Sequence, residues 1–445
     1  MNTIKKLNKL SLQFIDSWLF PIFVAFFILV GHTFSIEIVS MSIIAFSVVI
    51  GLLFCKDIRF LISPALMIVF IVSSKSFACW NGEFINKSFF VGITVIASII
   101  GIAIIARFVI FRKSINLKLA VKSPIFWGLL VFSLSILLGG IFNKSIYSSM
   151  LFGSNLVFSI AVSFSFIGIF LLFYTGINFS VDFRKHLIFT LFIASMLVTL
   201  EFYIMLFSGQ IEFVKESIVT GWGIWNNIGA ILTVLLPVHF YCFAYGGKFR
   251  FTFLFTAILT YATIVLTFSR ASLLGASLLL ILCLFLSCFV GKNKLLCKIA
   301  IISLCAIVLA FAIVFWNKLI DKLNTFFDDN GRFELYKAGI DKFLQHPILG
   351  SGFMDSHSIV GTPDHRYHNT IIQILASCGI IGMLAYGYHR FETIKLIVQK
   401  KSGRNLFLSF CLIGLLFTSL FDIHFFNIYP AFYYTLILIA IEKSN

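Results

Sequence analysis

The sequence predicts an all-α integral membrane protein of 12–14 transmembrane helices, with one large extracytoplasmic loop that carries an amphipathic helix. Three observations predict it. Sixty per cent of the 445 residues are apolar and 12% are charged, where a soluble domain keeps about a quarter of its residues charged. Apolar runs long enough to cross about 30 Å of hydrocarbon recur along the whole chain. Basic residues gather in alternate connections, the asymmetry that orients membrane proteins.

The expected spans, in order, are 14–32, 36–54, 60–73, 88–106, 124–141, 151–173, 187–208, 224–245, 250–267, 271–290, 296–316, 368–388, 405–421 and 428–441. The third is short enough to be a re-entrant piece, and a single dipeptide separates the ninth from the tenth. The opening Lys5, Lys6 and Lys9 before an apolar run look like a signal peptide. That run is long, no small-residue cleavage site follows, and another span begins at once, so it reads as the first anchor. The chain divides into spans one to eleven (1–316), a large loop (317–367) and spans twelve to fourteen (368–445), all in one membrane domain.

With the amino terminus inside, the cytoplasmic segments hold 23 of the 34 Lys and Arg residues, among them Arg107, Lys185, Arg250, Arg390 and Lys401. The short outer connections hold Lys75, Lys87, Lys144, Lys215 and Arg270. This positive-inside bias accounts for most of the net charge of +16 and argues against a nucleic-acid partner. Of the nine cysteines, Cys79 alone faces outside, so no outer disulfide and no metal spacing is expected.

A quarter of the charged residues fall in the large loop, with His346, His357 and His365, and His368 just beyond it. Function concentrates in such segments. Within the loop, residues 332–345 place Phe333, Tyr336, Ile340, Phe343 and Leu344 at helical spacing. Asp329 and Asn330 are cap candidates, and Pro347 with Gly350-Ser351-Gly352 closes the element. The expectation is an amphipathic helix along the outer membrane interface. Arg332 stands at its amino end, where free N–H groups favour an anion; an ordinary solvated Arg is the alternative.

Several polar residues stand out from this apolar background. Arg270, in LTFSRASLLG, is either paired, snorkelling to water or holding an anion, since burying a guanidinium within a span costs about 2.5–3.5 kcal/mol near its centre. Phosphate suits the planar fork of Arg. His368 can take a proton from a hydroxyl nucleophile, or it hydrogen-bonds the helix start. The four nearby histidines fit no compact zinc pattern. Asp422 can orient such an imidazole, or it is a solvated loop acid. Glu201 is a carboxylate within a span, a functional candidate or a buried protonated group. Asn226 and Asn227 line a cavity or cap a helix.

Together these pieces resemble the O-antigen ligase and polymerase superfamily of bacterial surface-glycan enzymes. The resemblance rests on the Ser269-Arg270-Ala271 element, on an outer loop with Arg332 early in its helix, and on a P-x-x-G-x-G turn at Pro347, Gly350 and Gly352. It is completed by His368-Asn369 opening a helix that holds Gly379, Ile380 and Gly382. It covers roughly residues 220–430; the first two hundred match in general hydropathy alone. It implies a metal- and cofactor-free glycosyltransferase of the inner membrane, working at its outer face. The donor would be a glycan on polyprenyl (undecaprenyl) diphosphate, and the acceptor a glycolipid such as lipid A-core. Arg270 and Arg332 would hold the diphosphate, His368 would be the general base and Asp422 its support, with Asn369, Glu201 and Asn226 as supporting residues. Many ligases of the family have twelve spans, so the fourteen read here leave ligase and repeat-unit polymerase both open. A flippase or transporter is the rival class, disfavoured because the polar groups cluster on one face of the second half. Oligomeric state is left open.

Overall fold

The computed structural model describes residues 12–67, 87–112, 117–142, 149–179, 183–212, 218–221, 223–291, 294–295, 297–299, 301–303, 331–353, 367–426 and 428–444. The helices are α1 Leu19–Thr33, α2 Glu37–Phe54, α3 Ile62–Met67, α4 Lys87–Ile110, α5 Leu117–Val121, α6 Pro124–Ile141, α7 Ser149–Ser163 and α8 Ile169–Gly176. They continue as α9 Phe183–Phe207, α10 Trp225–Tyr245, α11 Arg250–Leu266, α12 Arg270–Phe289, α13 Arg332–Gln345, α14 Thr370–Gln399, α15 Gly403–Ser419 and α16 Ile428–Glu442. A π turn at Phe164–Gly168 joins α7 to α8, and a two-stranded hairpin, β1 Val219–Thr220 and β2 Gly223–Ile224, precedes α10.

The expected all-α membrane class is what forms. Among the described residues nine helices are long and apolar enough to cross a membrane, and α1, α15 and α16 are shorter apolar helices. Of expected span 60–73, residues 60–67 are described and include α3, and expected span 296–316 lies largely outside the described residues. So do Cys79, Cys305, His357 and His365. Every described cysteine is free.

Small residues set the packing, as they must where lipid offers side chains no hydrophobic incentive to associate. α6 lies along α14, and a Cβ on Gly139 would stand 2.6 Å from the Ser377 carbonyl. α10 is the central helix, against α11, α12 and α15. A Cβ on its Gly229 would stand 2.7 Å from Ser272 Oγ, and one on Gly275 of α12 would stand 2.8 Å from the ring of Phe417 on α15. These contacts fix the register. α10 and α12 start at one end of the bundle, and α15 finishes there.

At the opposite end Gly403 meets Val290, the Arg404 guanidinium lies 5.1 Å from the Tyr245 ring, and Arg184 donates to Asn405. α13 occupies the predicted residues, but its cap is Gly331, in left-handed backbone at φ 75° with no side-chain cap bond; the cap candidates Asp329 and Asn330 lie outside the described residues. Phe333, Ile340 and Leu344 are exposed, an outward apolar face that suits a membrane interface. Gly339, the buried residue of the helix, packs on Tyr367 and Ile372.

The sequence reading needs one correction. With a span ending at 388, Arg390 counts among the cytoplasmic cations. α14 instead runs to Gln399, and the Arg390 guanidinium is packed against Tyr386, Phe425 and Tyr434.

Candidate active site

Four groups singled out in the sequence come to one end of the bundle, each placed by a different element. His368 stands just before α14. Asn369 caps that helix: its Oδ1 accepts from the Ile371 and Ile372 N–H groups at 2.9 and 3.2 Å, and its Nδ2 donates to the Leu420 carbonyl at 3.0 Å. Asn369 thus ties the base of the helix to the turn that carries Asp422. His368 itself adopts left-handed backbone at φ 47°, a conformation that costs a non-glycine residue about 1–3 kcal/mol and persists where surrounding contacts enforce it.

The His368 ring lies 3.1 Å from Asp422, Nδ1 to Oδ1. A carboxylate can only accept, so Nδ1 carries the hydrogen and the Nε2 lone pair is left for another group. The His368 side chain is 35% exposed against 17% for Asp422, so the imidazole reaches the open side while the carboxylate supports it from within. Burial opposes ionisation of Asp422. The charge of His424, the hydrogen bond from His368 and its charge, and the Ile423 N–H at 2.8 Å together outweigh it, and hold the carboxyl well below the usual range.

His424 was not singled out in the sequence. Its Nε2 lies 3.8 Å from Asp422 Oδ2, so one carboxylate faces two imidazoles. Burial lowers the pKa of His424, Asp422 raises it, and the charges of His368 and Arg332 lower it further. That last influence places Arg332 within electrostatic reach of the Asp422 turn. The spacing Asp422-x-His424 was the available signal. Tyr336, read as part of the apolar face, points its hydroxyl at the His368 carbonyl at 3.5 Å.

Backbone hydrogen bonds also hold α13 in place. The Pro347–Gly352 turn docks into a break in α14 where Gly379 takes φ 63°. Ile380 N–H donates to Pro347 O at 2.8 Å, Ser351 N–H to Ala376 O at 2.7 Å, and Gly352 N–H to Ser377 O at 3.0 Å. A Cβ on Gly350 would overlap the Ser377 backbone, and one on Gly379 the Ile348 carbonyl. The two glycine motifs are therefore halves of one junction, which sets Arg332 relative to His368.

Arg270 opens α12 after Phe268, another non-glycine residue in left-handed backbone at φ 54°. The Gly275–Phe417 contact, five residues down α12 from Arg270 and two before the end of α15, brings Arg270 level with the Leu420–Asp422 turn. Asn226, half-buried in the first turn of α10, shares this end through the Gly229–Ser272 contact. Glu201 is buried in α9, where its Oε1 accepts from Gly221 N–H at 2.6 Å and lies 3.3 Å from His32 Nδ1. Among the described residues no group of three or more His, Cys, Asp or Glu side chains converges as metal ligands do; the two imidazoles address different oxygens of Asp422.

The fold and site define a membrane bundle with an imidazole–carboxylate pair and two guanidinium-bearing helix starts at one end. Residues 255–387 match the family model described as O-antigen ligase. The resemblance read from the sequence to the O-antigen ligase and polymerase superfamily is borne out over this segment. The matched segment includes Arg270, Arg332 and His368, and Asp422 lies beyond it. Among curated proteins none matches the chain.

Proposed function

We propose that the protein is a glycosyltransferase of the O-antigen ligase type, acting at the extracytoplasmic face of the bacterial inner membrane. It moves a glycan from polyprenyl (undecaprenyl) diphosphate to an acceptor such as lipid A-core. The observation that carries this reading is the His368–Asp422 pair, 3.1 Å apart, within a domain matching O-antigen ligases.

In the reaction the His368 Nε2 takes the proton of an acceptor hydroxyl. That oxygen forms the new bond to the anomeric carbon, and the bond from this carbon to the diphosphate oxygen breaks, its electron pair leaving with the carrier. Asp422 stabilises the imidazolium. Arg270 and Arg332 stabilise charge gathering on the diphosphate, where a preorganised donor is worth about 3 kcal/mol. Asn226 lies where it can flank the same anion, and Asn369 keeps the base at the helix start.

The test is a surface-glycan gel on a deletion strain complemented with wild type or His368→Ala at matched membrane levels. The alanine variant is expected to leave the glycan untransferred; full-length glycan from it would refute the general base. The deletion strain also distinguishes subtypes. Core without glycan marks a ligase, and core capped by a single repeat marks a polymerase of the same superfamily.

A further inference from the structure

Arg390 is half-buried, and part of its guanidinium is sealed off completely. Its Nη1 donates to the Tyr434 hydroxyl at 2.8 Å, but Nε and Nη2 are buried without a hydrogen-bond partner among the described residues. What faces them is aromatic. The guanidinium carbon lies 4.5 Å from the ring centres of Tyr386 and Phe425 and 5.0 Å from that of Tyr434, distances at which a cation is drawn to a ring face. Tyr434 is itself fixed, 2.7 Å from His389 Nε2 and 3.2 Å from Thr393 Oγ1.

Of the three rings, Phe425 matters most for the site. It is fully buried and lies three residues after Asp422, in the tight turn closed by Phe426 N–H on Ile423 O at 2.9 Å. Its ring packs 5.0 Å from Phe166 and 5.3 Å from Tyr434. The carboxylate turn is therefore gripped twice by the same helix. Asn369, at the start of α14, holds Leu420 from one side, and Arg390, twenty-one residues along, holds Phe425 from the other.

We infer that Arg390 is a positioning residue for the transfer reaction, clamping Phe425 so that the Leu420–Phe426 turn presents Asp422 to His368. The inference rests on the general-base reading of His368. α14 then carries the base at one end and the clamp for the base's partner further along, and the Gly379 break sets the distance between them. Lysine cannot replace Arg390 in this role, because a compact ammonium does not stack as the planar guanidinium does.

The experiment uses full-length protein in detergent, with a lipid extract of the deletion strain supplying unconsumed donor and acceptor. Arg390→Lys and Phe425→Leu are each made alone and together with Asp422→Asn, and slow variants are followed over long time courses. Arg390→Lys is expected to slow transfer roughly 10–100-fold, the scale of a misplaced reacting group, and Phe425→Leu is expected to behave alike. In the Asp422→Asn background both are expected to add less than about twofold, since coupled residues are not additive. Equal fold-losses with and without Asp422, or an unimpaired Arg390→Lys enzyme, would overturn the clamp. Should the lysine variant not be recovered folded, Phe425→Leu, which leaves Arg390 and Tyr434 in place, decides alone. An active His368→Ala enzyme would instead remove the general-base reading on which the clamp depends; an inactive one with additive Arg390 losses would remove only the clamp.

Discussion

Asp422 is held by more favourable partners than any other acid at the site: one imidazole at 3.1 Å, a second at 3.8 Å and a backbone N–H at 2.8 Å. Its carboxyl is therefore depressed below the ordinary value, and the sign of the pH effect follows. A depressed acid stabilises the fold fully above its unfolded pKa, about 4, and loses that contribution as pH falls toward the folded value. The melting-temperature difference between wild type and Asp422→Asn is expected not to fall from neutral pH down to about 4 and to shrink below it. A difference that already collapses between pH 7 and 5 would mean that the carboxylate is not held in this way. The same substitution keeps size and removes charge, so transfer is expected to fall about 10²–10⁴-fold, the usual worth of a positioned acid–base group. The backbone at His368 is held on both sides: its φ of 47° sits between Tyr367, whose N–H donates to Gln373 Oε1 at 3.2 Å, and the Asn369 cap.

At the scale of elements, the feature that sets the site is the junction between the Pro347–Gly352 turn and the broken α14. Gly379→Ala is expected to lower both melting temperature and transfer although every polar side chain remains. Positive φ costs alanine about 1–3 kcal/mol, and its Cβ meets the Ile348 carbonyl. Gly387→Ala, in the same helix with open space around it, is the control, expected to raise stability by about 0.5–1 kcal/mol through helix propensity alone. Similar losses from both would mean that the junction is not specific. The elements themselves were legible from periodicity, and α13 begins and ends where its apolar spacing put it. The meaning of the glycines was not, because it lies in hydrogen bonds between backbone groups some thirty residues apart, which local pattern does not encode. Asn369 was visible as a polar residue beside the histidine, but its work as a cap and as a tie to Leu420 appears only when α15 is brought alongside. Arg390 was misplaced for a related reason: hydropathy reads its neighbours Glu392 and Lys395 as the end of a span, whereas aromatic rings from three parts of the chain enclose it.

For the molecule as a whole, the packing separates charge along the bundle axis. Arg184, Lys400, Lys401, Arg404 and Lys443 belong to the end where Asn405 meets Arg184 and Ser444, and where Arg404 covers Tyr245. His368, Asp422 and Arg332 belong to the other. Phe289 finishes α12 at the basic end and Arg332 starts α13 at the site end. The rule that basic ends face the cytoplasm supports the proposed orientation, in which the site lies outside and a carrier-linked glycan in the outer leaflet would meet its acceptor. Single cysteines test this in a chain whose native cysteines are serine. Glu334→Cys, exposed on α13, and Lys401→Cys, exposed between α14 and α15, stand at opposite ends. A membrane-impermeant maleimide added to intact spheroplasts is expected to label the first, and to label the second only after the membrane is opened. The reverse pattern would turn the molecule over and place the His368–Asp422 pair in the cytoplasm, where a donor in the outer leaflet is out of reach.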